Sequence, residues 1–288
     1  MREERCEGVW HLLAPDSSGV PLVFDSPHSG TEFPTDFRSI APFADVRGPE
    51  DSYIDEIHSA APEEGAVLLR ALFPRIYLDP NRNAADLDPN QIDGEWPTPL
   101  NPGKKTSSGT GLIWMKAPGD ADLYDRKLTI AEVRHRIDTY LVPYQARLKA
   151  ELDRAYEAHN AVWHVNCHSM PAISTPRAPE GEGGIKRSDF YIGTMDGQTA
   201  GAEYTELVRE TLAGFGYKVE VNKFFKGVEL ITAFSDLASN RHSLQIEINR
   251  GLYMDEDAGW RSDNFGQIKA HMTELIAVIA SYVKDQTT

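Results

Sequence analysis

Residues 161–170 read AVWHVNCHSM, an apolar run interrupted at alternate positions by polar groups. Side chains on a β-strand point to opposite faces in turn. As a strand, this stretch puts His164, Asn166 and His168 on one face and Val165 and Cys167 on the other. His168 comes last, just before Ser169, Met170 and Pro171 turn the chain. The preceding residues, 129–159, carry Val133, Ile137, Tyr140, Leu141, Tyr144, Leu148 and Leu152 at three- and four-residue steps. That spacing predicts an amphipathic helix, kinked near Pro143. A helix running straight into a strand is the repeating unit of an α/β fold.

The same alternation extends in both directions. Upstream, Val20 to Phe24 reads as a buried strand, residues 51–61 as a helix, and residues 66–78 as one or two short strands broken at Pro74. Residues 80–120 are rich in Pro, Gly, Asn, Asp and Ser; a loop of that length in a compact domain usually carries function or disorder. Downstream come a Pro/Gly/Glu-rich loop (171–188) and a strand at DFYIGT. A helix from Ala202 to Phe215, strands at YKVEV and SLQIEIN (243–249), and a closing helix over 264–283 complete the chain. The order predicts a single domain over residues 1–288, three-layer α/β/α around a mixed, largely parallel sheet. Ligands bind such sheets beyond the carboxyl ends of the strands.

Composition narrows the partners. The 288 residues include 29 Lys plus Arg against 44 Asp plus Glu, a formal net charge of −15. Nucleic acid and anionic membrane both demand a basic surface, so neither is expected as a partner. A small anionic substrate needs only local arginines. No apolar run reaches the roughly 18 residues of a membrane span, and the N-terminus MREERCEGVWHLL lacks a signal-peptide pattern. Two cysteines, Cys6 and Cys167, fit reduced thiols in a cytoplasm. The sequence leaves a homo-oligomer open.

Three strand ends carry chemistry. PLVFDSPHSG (21–30) delivers His28, AVWHVNCHSM delivers His168, and LQIEINRG (244–251) delivers Glu247. Either histidine alone is readily a hydrogen-bonded core residue; two at strand ends, each followed by Ser, point to a metal. Catalytic zinc takes about three protein ligands plus water. Asp51, at a predicted helix start, is the candidate third ligand, with Glu50 its rival and a plain helix cap the alternative role. Glu247 alternates with apolar neighbours, and a buried acid tends to a raised pKa. It is a candidate general base, with a salt bridge to Arg250 as the alternative. Asn81 and Arg82 in LDPNRN (78–83) are candidate carboxylate binders, although Asp79, Pro80 and Asn81 also suit a simple turn.

At these residues the chain resembles the N-formylglutamate amidohydrolase family. The shared elements are SPHSG (26–30), Asp51, FPRIYLDPNR (73–82), NCHSM (166–170), FKG (225–227) and LQIEINRGLYMDE (244–256), in family order. The resemblance implies a zinc carboxypeptidase-like fold and one zinc held by His28, Asp51 and His168. Glu247 is then the general base, Arg82 with Asn81 holds a substrate carboxylate, and Arg250 holds a second carboxylate or pairs with Glu247. Lys226 in FKG receives no role. The implied reaction is hydrolysis of N-formyl-L-glutamate to formate and L-glutamate. Another N-acyl amino acid or small peptide-like amide is the alternative substrate, and a non-catalytic metal- or ligand-binding protein on the same fold a further one. A serine hydrolase built on Ser29 or Ser169 lacks its G-x-S-x-G turn. Two departures stand out: Asn166 where the family commonly has an acid, and Pro80 where an apolar residue is usual.

Overall fold

The computed structural model describes residues 1–16, 19–176 and 178–287. The chain opens with an antiparallel hairpin, β1 (Arg2–Cys6) and β2 (Trp10–Ala14). Then come β3 (Leu22–Ser26), the short helices α1 (Phe43–Arg47) and α2 (Ile54–Ile57), and β4 (Val67–Ala71). The Pro/Gly-rich stretch contributes only β5 (Ile92–Asp93), the turn-like α3 (Lys104–Ser107) and two 3₁₀ turns before β6 (Leu128–Thr129) pairs with β5. The regular α/β alternation resumes with α4 (Ile130–Arg136), α5 (Val142–His159), β7 (Val162–Met170), β8 (Phe190–Gly193) and α6 (Ala202–Gly214). It ends with β9 (Val219–Val221), α7 (Glu229–Ala233), β10 (Arg241–Asn249), the ribbon β11 (Met254–Asp255) and β12 (Trp260–Arg261), and α8 (Phe265–Asp285).

Eight strands form one sheet in the order β1-β2-β4-β3-β7-β10-β8-β9. The four central strands β4, β3, β7 and β10 run parallel, and β2 and β8 flank them antiparallel. Helices cover both faces. Leu22, Phe24, Val165, Cys167 and Ile246 face α2, α6 and α8, while Val23, Leu69 and Val162 face α4 and α5. This is the expected three-layer α/β/α architecture with a mixed, largely parallel sheet. Each fully buried Leu, Ile or Phe in these layers stabilises the fold by about 1.5–3 kcal/mol before cavity effects.

Register carries the fold into the site. The parallel pairing sets Glu247 beside His168 and Gln245 beside Asn166 on one side of β7, and Asp25 beside Asn166 on the other. These side chains share one face, so β3, β7 and β10 present a polar row ending at their carboxyl ends.

Several elements differ from the sequence expectation. The helix expected over 51–61 is regular only at Ile54–Ile57, because Tyr53 takes a left-handed φ of 66° and breaks the first turn. Residues 66–78 hold one strand, followed by a turn in which Tyr77 donates to the Pro74 carbonyl. The 129–159 helix divides at a π-type turn, Ile137–Leu141, just ahead of Pro143, whose ring nitrogen has no hydrogen to donate. The N-terminal hairpin was not anticipated, although Arg2–Cys6 alternates half-buried and exposed residues.

Candidate active site

His28 lies two residues beyond the end of β3, in a loop fixed by close backbone approach. A Cβ on Gly30 would sit 2.3 Å from the Phe73 carbonyl oxygen, so only glycine fits there. The Asp51 amide donates to the His28 carbonyl at 3.1 Å, and Ser29 Oγ donates to the Asp51 carbonyl at 2.9 Å. These bonds bring Asp51 to the strand ends despite the absence of a full helix.

His28, Asp51 and His168 converge there. All three are buried, and one ligand atom from each lies within 4.8 Å of the others. Asp51 Oδ2 sits 3.3 Å from His28 Nδ1 and 3.1 Å from His168 Nδ1. The other nitrogen of each ring faces an acceptor. His28 Nε2 donates to Asp79 Oδ1 at 2.7 Å, and His168 Nε2 lies 2.5 Å from Asn166 Oδ1 and 3.1 Å from Asn81 Nδ2. An aspartate oxygen can only accept, and each His28 nitrogen faces one, Asp79 at 2.7 Å and Asp51 at 3.3 Å. The Asn166 amide is oriented in the same way: its Nδ2 donates to the buried Asp25 carboxylate at 2.7 Å, which turns its oxygen toward His168. Both Nδ1 atoms face the same Asp51 oxygen. Two imidazole nitrogens and a carboxylate oxygen converging in a buried site are a donor set that could hold a divalent cation, with outer partners orienting each ring.

The same network accounts for Asn166. Asp25 accepts from Asn166, His164 and Tyr144 at 2.7–2.8 Å. An acid at 166 would set a second carboxylate against Asp25 in a water-free layer, where like charges are costly. The amide instead relays the orientation from Asp25 to His168.

Of the two acids at the predicted helix start, Asp51 faces the histidines, while Glu50 is gripped by Arg47 at 3.0–3.2 Å. Burial alone would raise the Asp51 carboxyl. Hydrogen bonds from His168 and His28 and the charge of Arg75 outweigh it and hold Asp51 well below the usual carboxylate range. Glu247 behaves oppositely: burial first, then the Asp51 charge, push it well above the usual range, against the pull of Arg75 and Arg250. Gln245 Nε2 donates to its Oε1 at 2.8 Å. Two neighbouring acids driven apart in pKa are suited to act as a permanent anion and a proton carrier.

Arg250 lines the cavity and is engaged inside the protein. Its guanidinium donates to Asp51 Oδ1 at 3.0 Å, to Ser169 Oγ at 2.9 Å and to the Gly48 carbonyl at 3.0 Å, so it braces Asp51. The Asn81 side chain is also engaged inside the protein: Nδ2 donates to Asn166 Oδ1 at 3.1 Å and Oδ1 accepts from the Leu230 amide at 3.0 Å. Arg82 stays open, with Nε 3.9 Å from both Asp79 and Asp86. Asp79 and Arg75 were missed as site residues. Asp79 looked like a turn former, and its place directly after the apolar run IYL was the available signal of burial.

These groups border a cavity of about 770 Å³, lined by His28, His168, Glu247, Arg75, Arg82 and Trp114 among others, within the range of small-molecule sites. The chain matches the N-formylglutamate amidohydrolase family over residues 20–254. It belongs to that family. A crystal structure of N-formylglutamate amidohydrolase from Ralstonia eutropha JMP134 superposes with a TM-score of 0.93 at 43% identity, covering 97% of this chain and 99% of that one. N-formylglutamate deformylase of Pseudomonas aeruginosa is 26% identical over 276 residues, 93% of this chain and 95% of the relative. The deformylase of Pseudomonas putida is 25% identical over 249 residues, 85% and 86% of the two chains. A gene product of Agrobacterium tumefaciens, Atu2144, shares the fold at a TM-score of 0.66 and 16% identity. As a member of this family the protein is an amidohydrolase. No helix among the described residues is long and apolar enough to cross a membrane.

Proposed function

We propose that this amidohydrolase is a zinc-dependent deformylase that converts N-formyl-L-glutamate to formate and L-glutamate. The observation that carries the reading is the convergence of His28, Asp51 and His168, with both Nδ1 atoms turned toward Asp51, beside Glu247. A zinc ion held by those three residues would polarise a carbonyl and acidify water. Glu247 accepts the proton of the attacking water on a carboxylate oxygen, its raised pKa making it basic enough for the task. It returns that proton to the amide nitrogen as the C–N bond breaks. Arg82 binds a substrate carboxylate with its planar fork and so holds the amide against Glu247. Asp79, Asn166 and Asn81 hold the two imidazoles in place, and Arg250 holds Asp51.

The test measures formate, acetate and succinate release from N-formyl-L-glutamate, N-acetyl-L-aspartate and N-succinyl-L-glutamate. Formate release should dominate, disappear with a chelator and return with zinc. Preference for another acyl group, or turnover indifferent to chelation, would contradict the assignment. Glu247→Gln should lower turnover by roughly 10²–10⁴-fold while zinc stays bound; a variant that keeps wild-type turnover removes Glu247 from the mechanism.

A further inference from the structure

Six basic side chains among the described residues border the cavity: Arg75, Arg82, Lys105, Arg187, Lys226 and Arg250. This is a local excess of positive charge in a chain of net charge −15. Four of them are already matched by acids. Arg250 donates to Asp51, Arg187 forks onto Glu180 at 2.6 and 3.1 Å, and Lys226 donates to Asp196 at 2.8 Å. Arg75 stands 3.2 Å from Asp79 and 3.5 Å from Asp51. Two remain under-engaged: Arg82 has no carboxylate nearer than 3.9 Å among the described residues, and Lys105 forms no close salt bridge with a described residue, the charges of Asp79, Glu247 and Glu180 acting on it only at longer range.

The position of Lys105 is built. It sits on α3, and the Asp86 carboxylate anchors that turn: Oδ1 accepts from the Gly103 amide at 2.7 Å and from the Thr106 hydroxyl. The Lys105 carbonyl accepts from the Thr110 amide at 2.8 Å, closing the turn. Asp86 also flanks Arg82 through its other oxygen. One carboxylate thus anchors the turn that carries Lys105 and flanks Arg82. Partial desolvation of the ammonium on an otherwise exposed side chain, followed by the charges of Arg82 and Arg75, lowers the Lys105 pKa. Gathering like charges is unfavourable until an anion joins them.

We propose that Lys105 is a second carboxylate-binding residue that selects N-acyl amino acids with an acidic side chain. It contacts the side-chain carboxylate while Arg82 contacts the α-carboxylate. Two open cations match the two carboxylates of one dicarboxylic substrate. The assignment of ends follows from position. Arg82 directly follows the Asp79–Asn81 segment, which hydrogen-bonds to His28 and Asn166, and the α-carboxylate lies on the carbon next to the scissile nitrogen. Lys105 is exposed as a residue and reaches the cavity on a flexible stem, which suits the carboxylate further from the reacting amide. The inference rests on the deformylase reading above.

The experiment compares the zinc-loaded wild type with Lys105→Met and Lys105→Arg. The substrates are N-formyl-L-glutamate, its side-chain amide N-formyl-L-glutamine, and its α-amide N-formyl-L-isoglutamine. A hydrogen bond to a charged group predicts that Lys105→Met lowers kcat/KM for the diacid by roughly 10- to 100-fold, mostly through KM. The side-chain amide should lose far less, so the preference for the diacid over it collapses. The preference over the α-amide should persist, and Lys105→Arg should restore most of the loss. Equal losses on all three substrates, or an unchanged preference in Lys105→Met, would overturn the role of Lys105. Absence of formate release by the wild type would instead overturn the deformylase reading, and this proposal with it.

Discussion

Replacing Asp79 tests whether the histidine tautomers are set from outside the donor triad. Asp79 is fully buried, and Oδ1 accepts from His28 Nε2 at 2.7 Å and from the Asn81 amide at 3.0 Å. Oδ2 stands 3.2 Å from Arg75. A hydrogen bond to a charged group contributes about 1.5–3 kcal/mol, and outer partners of metal-binding histidines govern about 10–100-fold in metal affinity. Asp79→Ala frees His28 to rotate or to carry its proton on Nδ1, so its zinc Kd should rise by about 30–100-fold. Asp79→Asn keeps a carbonyl oxygen that can accept from Nε2 but loses the charge facing Arg75; its zinc Kd should rise by about tenfold or less. The assay is competition for zinc against a chromophoric chelator, with urea unfolding of each metal-free protein to separate lost affinity from lost fold. A folded Asp79→Ala protein that binds zinc within about twofold of wild type would refute the reasoning, because His28 would then need no outer partner.

Two further predictions concern stability. His58 is fully buried, its Nδ1 donates to the Ile54 carbonyl at 2.8 Å, and burial depresses its pKa from 6.5 to about 4. A depressed folded pKa means that the stabilisation is complete above pH 6.5 and is lost as pH falls toward 4, by about 3 kcal/mol in total. The urea midpoint of the metal-free protein should fall across that window, and His58→Leu should flatten the slope; an unchanged slope would show that other groups cause it. Arg250→Met leaves the buried Asp51 carboxylate with Arg75, at 3.5 Å, as its one remaining arginine among the described residues. It should destabilise the metal-free protein by about 3 kcal/mol and the zinc-loaded protein by less, since the cation then shares the charge. Equal losses with and without zinc would show that Asp51 does not face the metal.

Much of the fold was legible because periodicity is local. The alternation in VWHVNCHSM and LQIEIN reports two strands flanked on both faces, and the three- and four-residue apolar steps of 129–159 report a helix. The 51–61 helix misled because its apolar spacing is correct while Tyr53 adopts a left-handed conformation that spacing does not encode. The N-terminal hairpin, polar along one side, left only a weak alternation. At the site, His28, His168 and Glu247 could be chosen from sequence because each ends an apolar strand, where a polar side chain has no structural need to be.

The pairing of those ends was beyond the sequence. Strand order and parallel register set Glu247 beside His168, and neither quantity is local. Deciding between Glu50 and Asp51 required the backbone bond from Asp51 to His28, which aims one acid inward and leaves the other to Arg47. The use of each arginine was settled by partners far along the chain: Arg250 is taken by Asp51, about 200 positions away, whereas Arg82 finds no close carboxylate. The sequence by itself determined which residue types reach the strand ends. The tertiary structure decided which of them face one another, which hydrogen bonds orient them, and which charges lack a close partner, because those depend on distances that only folding sets.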